Sequence, residues 1–492
     1  MMVSFIDPLP EPESEKTNCN CPAVIASHER ALDIVIDEVE KVDYPGHDHE
    51  FGVIYVGGGR YWPGIVVGCR LLRHLGYQGP IEVWRRHVGN DEPIVAEQLA
   101  GYDVKIVDAL EVAKTTKPRI LRGWESKLHA IKHCRYRKIL FLEADAYCIE
   151  NPVDIIQSND TFSFWSSKEY SRINWNRVWR QSRRDVPPVQ GGQLLIDREQ
   201  VWGLVLVADW ICQHSEFYFR HLFGDHDAWR LALSVTEYGY RHLGELDHRY
   251  PAMVAHFDGK PIIVHRNRSK LFRATEWNRH DCGGGYGGHL PREGEVWSLF
   301  TEVLNSEAVD VREVFRNIYN QRMWGDLADS GVDRNEYYLG CVVGVAKTLG
   351  AKTIVDVGCG DGRLTVALAK RTGCKVIGLD LIAEVFPKNE AESVEFRECN
   401  VLNVDEIPDG DILVAKDVLT HWPNRYVTAW LDEVVQQRRW KALVLTHDRG
   451  QGEGDTYFGG LRPLDPQKAP LVNYGPWQVT QHMHKAICIK VL

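Results

Sequence analysis

The chain has 492 residues, more than a single hydrophobic core usually organises, so at least two domains are expected. Hydrophobic residues make up 44% and charged residues 26%, which is ordinary globular composition, and the net charge of -10 disfavours a nucleic-acid partner. The twelve cysteines show no repeating spacing, and the longest apolar stretch, 201–212, is too short to span a bilayer. The sequence therefore predicts a cytoplasmic protein without a membrane span.

The first 44 residues form a polar segment rich in proline, glutamate and asparagine. Only residues 24–42 have a helical pattern. This composition predicts a mobile arm, with a short docking helix as the alternative.

From residue 51 onward, short apolar runs alternate with helical patterns. Strands are predicted at 52–56, 81–84, 104–107 and 138–142, and helices at 65–75 and 127–133. A second rhythm of the same kind starts near residue 337, with strands predicted at 353–357, 375–379, 394–398, 412–415, 442–446 and 486–492. Strands that alternate with helices indicate mainly parallel sheets, so the sequence predicts two α/β domains, 45–314 and 315–492.

Two carboxylates end the fourth predicted strand of the first domain, where residues 139–146 read I-L-F-L-E-A-D-A. Residues two apart on an extended segment point to the same side, so the carboxylates of Glu143 and Asp145 lie next to each other. Two neighbouring carboxylates repel unless a cation or a proton lies between them. Hard oxygen ligands suit Mn²⁺ or Mg²⁺, ions that can bridge a diphosphate.

Further motifs accompany this acidic strand end. Residues 124–130 read W-E-S-K-L-H-A, residues 190–193 read Q-G-G-Q, residues 224–227 read G-D-H-D, and residues 263–270 read I-V-H-R-N-R-S-K. Taken in order, they resemble GT-A-fold α-mannosyltransferases of glycosyltransferase family 71, over roughly residues 50–275. The resemblance implies a GT-A nucleotide-sugar-binding Rossmann-like domain that uses a nucleotide-diphosphate sugar as donor.

The resemblance also implies a role for each motif residue. Gly57 and Arg60 would bind the nucleotide, and Lys127 would lie near the nucleotide or its phosphates. Glu143, Asp145 and His265 would bind the metal, and Lys270 would neutralise the leaving diphosphate. Asp225 and Asp227 would contact the transferred sugar or the acceptor. Three of these assignments have an ordinary alternative: Lys127 as a solvated helix charge, His265 as a structural histidine, and Asp225 as a helix cap. Glu143 stands where the family usually has aspartate, which leaves the donor sugar open.

A glycine-rich turn follows the first predicted strand of the second domain, where residues 354–362 read I-V-D-V-G-C-G-D-G. Gly358, Gly360 and Gly362 let the backbone turn sharply beside a ligand. The next strand ends in Asp380, which can accept hydrogen bonds from both hydroxyls of a ribose. The G-x-G-x-G spacing and the carboxylate of Asp356 argue against a pyrophosphate at this turn.

These residues resemble the first two motifs of class I S-adenosylmethionine-dependent methyltransferases, a Rossmann-like fold. The resemblance implies S-adenosylmethionine as cofactor, held by Asp356, Gly358, Gly360, Gly362 and Asp380, with Asn400 beside the adenine. Residues 411–424 are similar to the segment after the fourth strand in methyltransferases that act on small polar substrates such as sugars.

Methyl transfer to a hydroxyl needs a base, and His421 follows the fourth strand, where such domains place acceptor-side groups. The alternative is that His421 caps the next helix or packs against Trp422. The loop 457–470 is expected to cover the acceptor, with a plain surface loop as the alternative.

Together these predictions describe a bifunctional glycan-modifying enzyme. It transfers a sugar, mannose among the candidates, and methylates a hydroxyl of a glycan or oligosaccharide acceptor. A second hypothesis is a sugar O-methyltransferase whose first domain only binds glycan. A third, a nucleic-acid methyltransferase, is disfavoured by the net charge.

Overall fold

The computed structural model describes residues 21–85, 94–121, 123–167, 184–249, 252–272, 290–306, 309–320, 331–387, 392–449 and 454–492. These residues form two compact units, one that ends at Val303 and one that runs from Leu304 to Leu492. Each unit contains its own large sheet and its own hydrophobic core. Among the described helices, none combines the length and the apolar character that a membrane span requires.

The first unit alternates strands and helices. Its helices are α1 (Pro22–Val39), α2 (Trp62–His74), α3 (Ala109–Thr116), α4 (Glu125–His133), α5 (Val153–Ile156), α6 (Trp202–Gln213), α7 (Ser215–Tyr218), α8 (Gly224–Val235) and α9 (Glu293–Asn305), the last of which crosses the unit boundary. Its strands are β1 (His49–Val56), β2 (Ile81–Arg85), β3 (Val104–Asp108), β4 (Tyr136–Glu143), β5 (Ala146–Cys148), β6 (Phe162–Ser166), β7 (Gln193–Asp197), β8 (Arg241–Glu245), β9 (Asp247–Arg249), β10 (Ala252–Phe257) and β11 (Lys260–His265).

Two sheets organise these strands. The larger has the order β3-β2-β1-β4-β7-β6-β8, and its first four strands are parallel. The smaller is antiparallel, with the order β5-β11-β10-β9. All four predicted strands of this region lie within β1 to β4. Because β1 and β4 are parallel neighbours, their carboxyl ends, Val56 and Glu143, lie side by side.

Helix α1 packs onto the first unit. Its apolar face, which includes Leu32 and Val35, is buried in the same core as helix α6. Pro22–Val39 is therefore a packed helix, as in the docking-helix alternative, and not a mobile arm. An apolar stripe at helical spacing is stable only against a partner, and α6 supplies one. Residues 1–20 of the predicted arm lie outside the described residues.

The second unit has the helices α10 (Val311–Asn320), α11 (Glu336–Leu349), α12 (Arg363–Thr372) and α13 (Asn424–Gln437). Its strands are β12 (Thr353–Val357), β13 (Lys375–Asp380), β14 (Val394–Glu398), β15 (Ile412–Lys416), β16 (Ala442–Asp448), β17 (Gln478–His482) and β18 (Lys485–Val491). The sheet order is β14-β13-β12-β15-β16-β18-β17, with β18 antiparallel to both of its neighbours. This is the class I methyltransferase Rossmann-like fold that the sequence predicts.

The predicted boundary near residue 315 falls inside helix α10. Val314 and Ile318 on that helix are buried in the core of the second unit. The compact units separate earlier, at Val303 and Leu304. A cut at 315 would therefore divide a helix and expose part of a core.

A cut after Ser306 leaves α9 and α10 whole, so we expect fragments 1–306 and 307–492 to fold separately. Each fragment retains a complete sheet and the core that covers it. Cooperative thermal melting of both purified fragments is the measurement. A cut after Phe315 is the matched control, and its second fragment should melt at a lower temperature. Aggregation of both 1–306 and 307–492 would show that the two units depend on each other to fold.

Candidate functional site

The first candidate site lies at the carboxyl ends of β1 and β4. Helix α2 approaches this edge closely, because Gly64 has no side chain: a Cβ there would lie 2.4 Å from the carbonyl oxygen of Ala144. Ala144 stands between the two predicted metal ligands. The glycine therefore allows α2 to pack directly against the turn that carries Glu143 and Asp145.

Strand β11 brings His265 to the same turn. His265 pairs with Ala146 across the small antiparallel sheet. Its Nε2 lies 3.3 Å from Oε2 of Glu143 and 3.3 Å from Oδ1 of Asp145. One ligand atom from each of these three residues falls within 4.8 Å of the others. The structure thus brings the three predicted ligands together, and metal binding stays a prediction.

Two lysines complete this cluster. Lys127, on α4, contacts Glu143 and lies 3.1 Å from Oδ2 of Asp225 on α8. Lys270 contacts Asp145. Lys127 is therefore a largely buried partner of two carboxylates, with its side chain 12% exposed, and not a solvated helix charge.

Two opposing effects set the pKa values of these residues: burial disfavours the charged forms, and pairing with opposite charges favours them. Burial opposes the charged form of His265, but Asp145 and Glu143 outweigh it and raise the pKa of His265 to about 9. Burial likewise opposes ionisation of Asp145, yet Lys270 and His265 lower its pKa to about 2. The pKa of Lys127 is raised by Asp225 and Glu143 against the effect of burial. The cluster is therefore ionised at neutral pH, with its charges mutually dependent.

The segment of residues 190–193 passes directly over this cluster. A Cβ on Gly192 would lie 2.7 Å from Oε2 of Glu143 and 2.7 Å from Cε1 of His265. Gly191 donates its backbone N–H to Nδ1 of His226, at 2.7 Å. Sequence reasoning missed His226; its place between two aspartates of the G-D-H-D motif was the available signal.

Two other predicted residues of the first site, Asp227 and Arg60, make contacts outside this cluster. Asp227 accepts a hydrogen bond from the backbone of Phe223, at 2.6 Å, at the start of α8, and burial raises its pKa to about 7. It caps its own helix, whereas Asp225 makes the lysine contact. Arg60 follows Gly57 at the end of β1 and stacks on the rings of Tyr61 and Phe272, at 5.1 and 5.3 Å.

The second candidate site is a cavity of about 320 Å³ in the second unit, a size typical of small-ligand pockets. It is lined by most of the residues predicted to bind the cofactor or the acceptor, namely Asp356, Gly358, Gly360, Asp380, Asn400 and His421.

The glycine-rich turn forms one wall of this cavity. Gly358 has φ +67°, and a Cβ there would lie 2.4 Å from Val418. Gly362 is not among the described residues that line the cavity. It has φ +71° at the start of α12, and a Cβ there would lie 2.4 Å from Phe396, so this glycine serves the turn and its packing.

The carboxylate of Asp380 is tied to this turn. It accepts the backbone N–H of Gly360 at 2.9 Å and that of Ile382 at 3.1 Å. Burial raises its pKa, and these donors oppose the shift. Asp356, also buried, accepts from the hydroxyl of Thr365 at 2.6 Å, and burial raises its pKa to about 6.

Helix α10 supplies the opposite wall through Val311, Phe315 and Tyr319. The tyrosine lies beside Asp380, and burial raises its pKa. Sequence reasoning missed all three, because the helix was divided by the predicted boundary and carries no motif.

His421 also lines the cavity. Its Nδ1 lies 2.6 Å from the carbonyl oxygen of Gly460, and its own carbonyl accepts the N–H of Gly459 at 3.0 Å. The predicted covering loop is thus tied to the histidine segment. Burial lowers the pKa of His421, so the ring is neutral at neutral pH. Since a carbonyl only accepts, Nδ1 carries the proton and Nε2 is the basic atom.

A charged group adjoins His421 at the strand ends. Asp417 follows β15 with φ +58°, a strained backbone for an aspartate. It lies 3.0 Å from Nζ of Lys485, which is also 2.9 Å from Asp448. Lys416 donates to Asp417 at 2.5 Å.

Comparison with known families assigns both regions. A family model of the methyltransferase domain matches residues 354–439, and a mannosyltransferase family model matches residues 50–185. The chain therefore joins a mannosyltransferase-like N-terminal region to a C-terminal methyltransferase domain.

Individual relatives are more distant. Alpha-1,2-mannosyltransferase MNN24 of Candida albicans is 29% identical over 136 residues, which are 27% of this chain but only 18% of that protein. Among solved structures, the methyltransferase domain of bacterial CtHen1 is 17% identical, with 32% of this chain and 99% of that chain covered and a TM-score of 0.26. The bifunctional kinase-methyltransferase WbdD is 18% identical, with 32% and 39% covered and a TM-score of 0.25.

Proposed function

We propose that this chain is a bifunctional enzyme of glycan assembly. The first unit transfers a sugar, mannose by its resemblance, from a nucleotide-diphosphate sugar, and the second methylates a glycan hydroxyl with S-adenosylmethionine. The observation that carries the proposal is that each unit gathers its predicted site residues at one sheet edge. Glu143, Asp145 and His265 meet in the first unit, and Asp380 and His421 line one cavity in the second.

The first site fits a divalent cation of the Mn²⁺ or Mg²⁺ type. Two carboxylates and an imidazole, which gives up its proton when it binds, offer ligand atoms within 4.8 Å of one another, and the carboxylates suit Mn²⁺ or Mg²⁺. When bound, the ion would neutralise a diphosphate and act as a Lewis acid. Lys270 adds a cation on the same side and stabilises the charge that develops on the leaving group. Asp225, held by Lys127, is the carboxylate available for sugar hydroxyls.

The second site fits S-adenosylmethionine. The carboxylate of Asp380 lines the cavity, and ribose hydroxyls can donate to it in place of the Tyr319 hydroxyl, which is one of its hydrogen-bond donors. The cofactor, when bound, supplies an electrophilic methyl group. Nε2 of His421 accepts the proton of the attacking hydroxyl, while Gly460 holds the ring in the required tautomer.

Replacing His421 with alanine should lower kcat for methylation by about 10²- to 10⁴-fold, the usual contribution of a general base. Affinity for S-adenosylmethionine should not change. The base must be neutral, so the wild-type rate should rise with pH through the lowered pKa of His421 and then level off. The variant should lose this dependence, and added imidazole should restore part of the rate. A variant that keeps the wild-type pH profile would assign His421 a structural role.

The overall proposal is tested with a candidate oligosaccharide, manganese, S-adenosylmethionine and a panel of nucleotide-diphosphate sugars. Mass spectrometry should detect one added hexose, one added methyl group, or both. Omission of each donor in turn should remove only the corresponding mass shift. No shift with any donor and acceptor pair would contradict the proposal.

A second candidate is a sugar O-methyltransferase whose first unit binds glycan without catalysis. One observation favours it: Lys127 and Lys270 already pair with the carboxylates of the cluster. Calorimetric titration with a nucleoside diphosphate separates the two candidates. Binding that strengthens with Mn²⁺ supports the transferase, and no binding with or without the ion supports the second candidate.

We also propose a reducing, cytoplasmic location. The ten cysteines in the described part of the chain are all free, and seven of them are buried. Buried thiols of this kind are usual in proteins of reducing compartments.

A further inference from the structure

The cavity lined by Asp380 and His421, called the first cavity below, has a neighbour in the same unit, the second cavity. The second cavity measures about 340 Å³, and three residues, Tyr338, Lys416 and Lys485, line both cavities. A ligand in one cavity is therefore separated from a ligand in the other by little more than these side chains. None of the sequence motifs points to this second cavity.

Both cavities open at the same edge of the sheet. Lys416 ends β15 and Asp448 ends β16, while β18, which runs in the opposite direction, begins at Lys485. The turn between β17 and β18 therefore lies at the carboxyl edge of the parallel strands. Ligands of open α/β sheets bind at this edge.

A pair of stacked rings forms one wall of the second cavity. The rings of Tyr337 and His482 are 4.7 Å apart and only 16° from parallel. Tyr337 is 40% exposed, although it lies in the first turn of helix α11, whose other aromatic, Tyr338, is buried. The hydroxyl of Tyr337 hydrogen-bonds to Thr480 on β17, which fixes the ring.

Polar groups surround this aromatic surface. Lys485 is held between Asp417 and Asp448, and Nε2 of His484 lies 3.6 Å from Asp448. Asp333 and Arg334, which shortly precede Tyr337 in the chain, also line the cavity. An aromatic ring face edged by donors and acceptors suits a pyranose, whose C–H face is apolar and whose hydroxyls are polar, and Tyr337 keeps one face that His482 does not cover.

We propose that the second cavity is a glycan subsite: it binds the sugar next to the one being methylated, by stacking on the face of Tyr337 that His482 does not cover. This inference rests on the proposed methylation of a glycan and goes beyond it, because it defines the acceptor as at least two sugars long. The terminal sugar reaches His421 in the first cavity, and its neighbour occupies the second. A single sugar fills only the first cavity.

The test is calorimetric titration of the full chain, loaded with S-adenosylhomocysteine, with mannotriose and with methyl mannoside. Loss of one aromatic stack should weaken mannotriose binding about tenfold in Tyr337→Ala. Tyr337→Phe, which keeps the ring and loses only the hydroxyl, should bind mannotriose within about twofold of the wild type. Methyl mannoside should bind all three proteins equally.

Equal mannotriose affinity in the wild type and Tyr337→Ala would overturn the subsite, as would a wild-type chain that binds no mannotriose. The proposed function fails in a different way. If the wild type binds mannotriose through Tyr337 but methylates no glycan, the subsite stands and the assigned reaction does not.

Discussion

Replacing Asp145 with asparagine should abolish sugar transfer and leave methylation of a preformed acceptor unchanged. Asparagine preserves the shape of the side chain but removes a charge that contacts Lys270 and lies 3.3 Å from His265. Lys270 then loses a buried partner, and the proposed metal loses a ligand. Loss of electrostatic stabilisation of this kind costs roughly 10²- to 10³-fold in kcat, and loss of the ion would add to it.

The measurement is the initial rate of hexose transfer and of methylation on the same preparation. Asp258→Asn is the matched control, because Asp258 is an exposed residue of the turn between β10 and β11 in the same unit. It should keep wild-type transfer. A second measurement follows nucleoside diphosphate affinity with and without Mn²⁺. The Mn²⁺-dependent increase should disappear in Asp145→Asn only, and transfer at the wild-type rate in that variant would refute the assignment.

The strands were predictable because each is a short apolar run followed by a sharp change of composition. Gly57 follows β1, Glu143 ends β4, and Asp380 ends β13, and each lies at the carboxyl edge where a parallel sheet places its ligands. The sequence therefore located both sites at this edge without any information about contacts.

Long-range contacts were predictable only where a family motif implied them. His265 meets Glu143 and Asp145 because β11 pairs with β5, and no spacing in the sequence indicates this pairing. Helix α10 makes a long-range contact that no motif implies, and the sequence did not predict it. Nothing local marks Tyr319 as a neighbour of Asp380, since its amphipathic pattern specifies a buried face but not the surface that covers it.

The individual roles at the first site were also beyond the sequence. Asp225 and Asp227 are two residues apart on one helix, and the motif predicts that both contact the transferred sugar or the acceptor. The structure separates them, because Asp225 faces Lys127 whereas Asp227 caps the start of α8. Residues two apart on an α-helix lie about 200° apart around its axis, so two aspartates within α8 face different surroundings.

Replacing Asp380 with alanine should remove S-adenosylmethionine binding and methylation while sugar transfer continues. Two hydrogen bonds from ribose hydroxyls to a charged carboxylate contribute about 3–6 kcal/mol together, so affinity should fall roughly 10²- to 10⁴-fold. Asp380 also accepts the backbone N–H groups of Gly360 and Ile382, so the variant should lose some stability without ligand.

Thermal melting with and without S-adenosylmethionine separates these two effects. The wild type should gain about 2.7 kcal/mol of stability when the cofactor is present at 100 times its Kd, and Asp380→Ala should gain almost nothing at that concentration. Asp409→Ala is the control, because Asp409 has an exposed side chain just before β15, at the opposite edge of the sheet. It should keep the full gain. If Asp380→Ala also keeps the full gain, the ribose is held elsewhere in the cavity, and the role of Asp380 is to hold the glycine-rich turn.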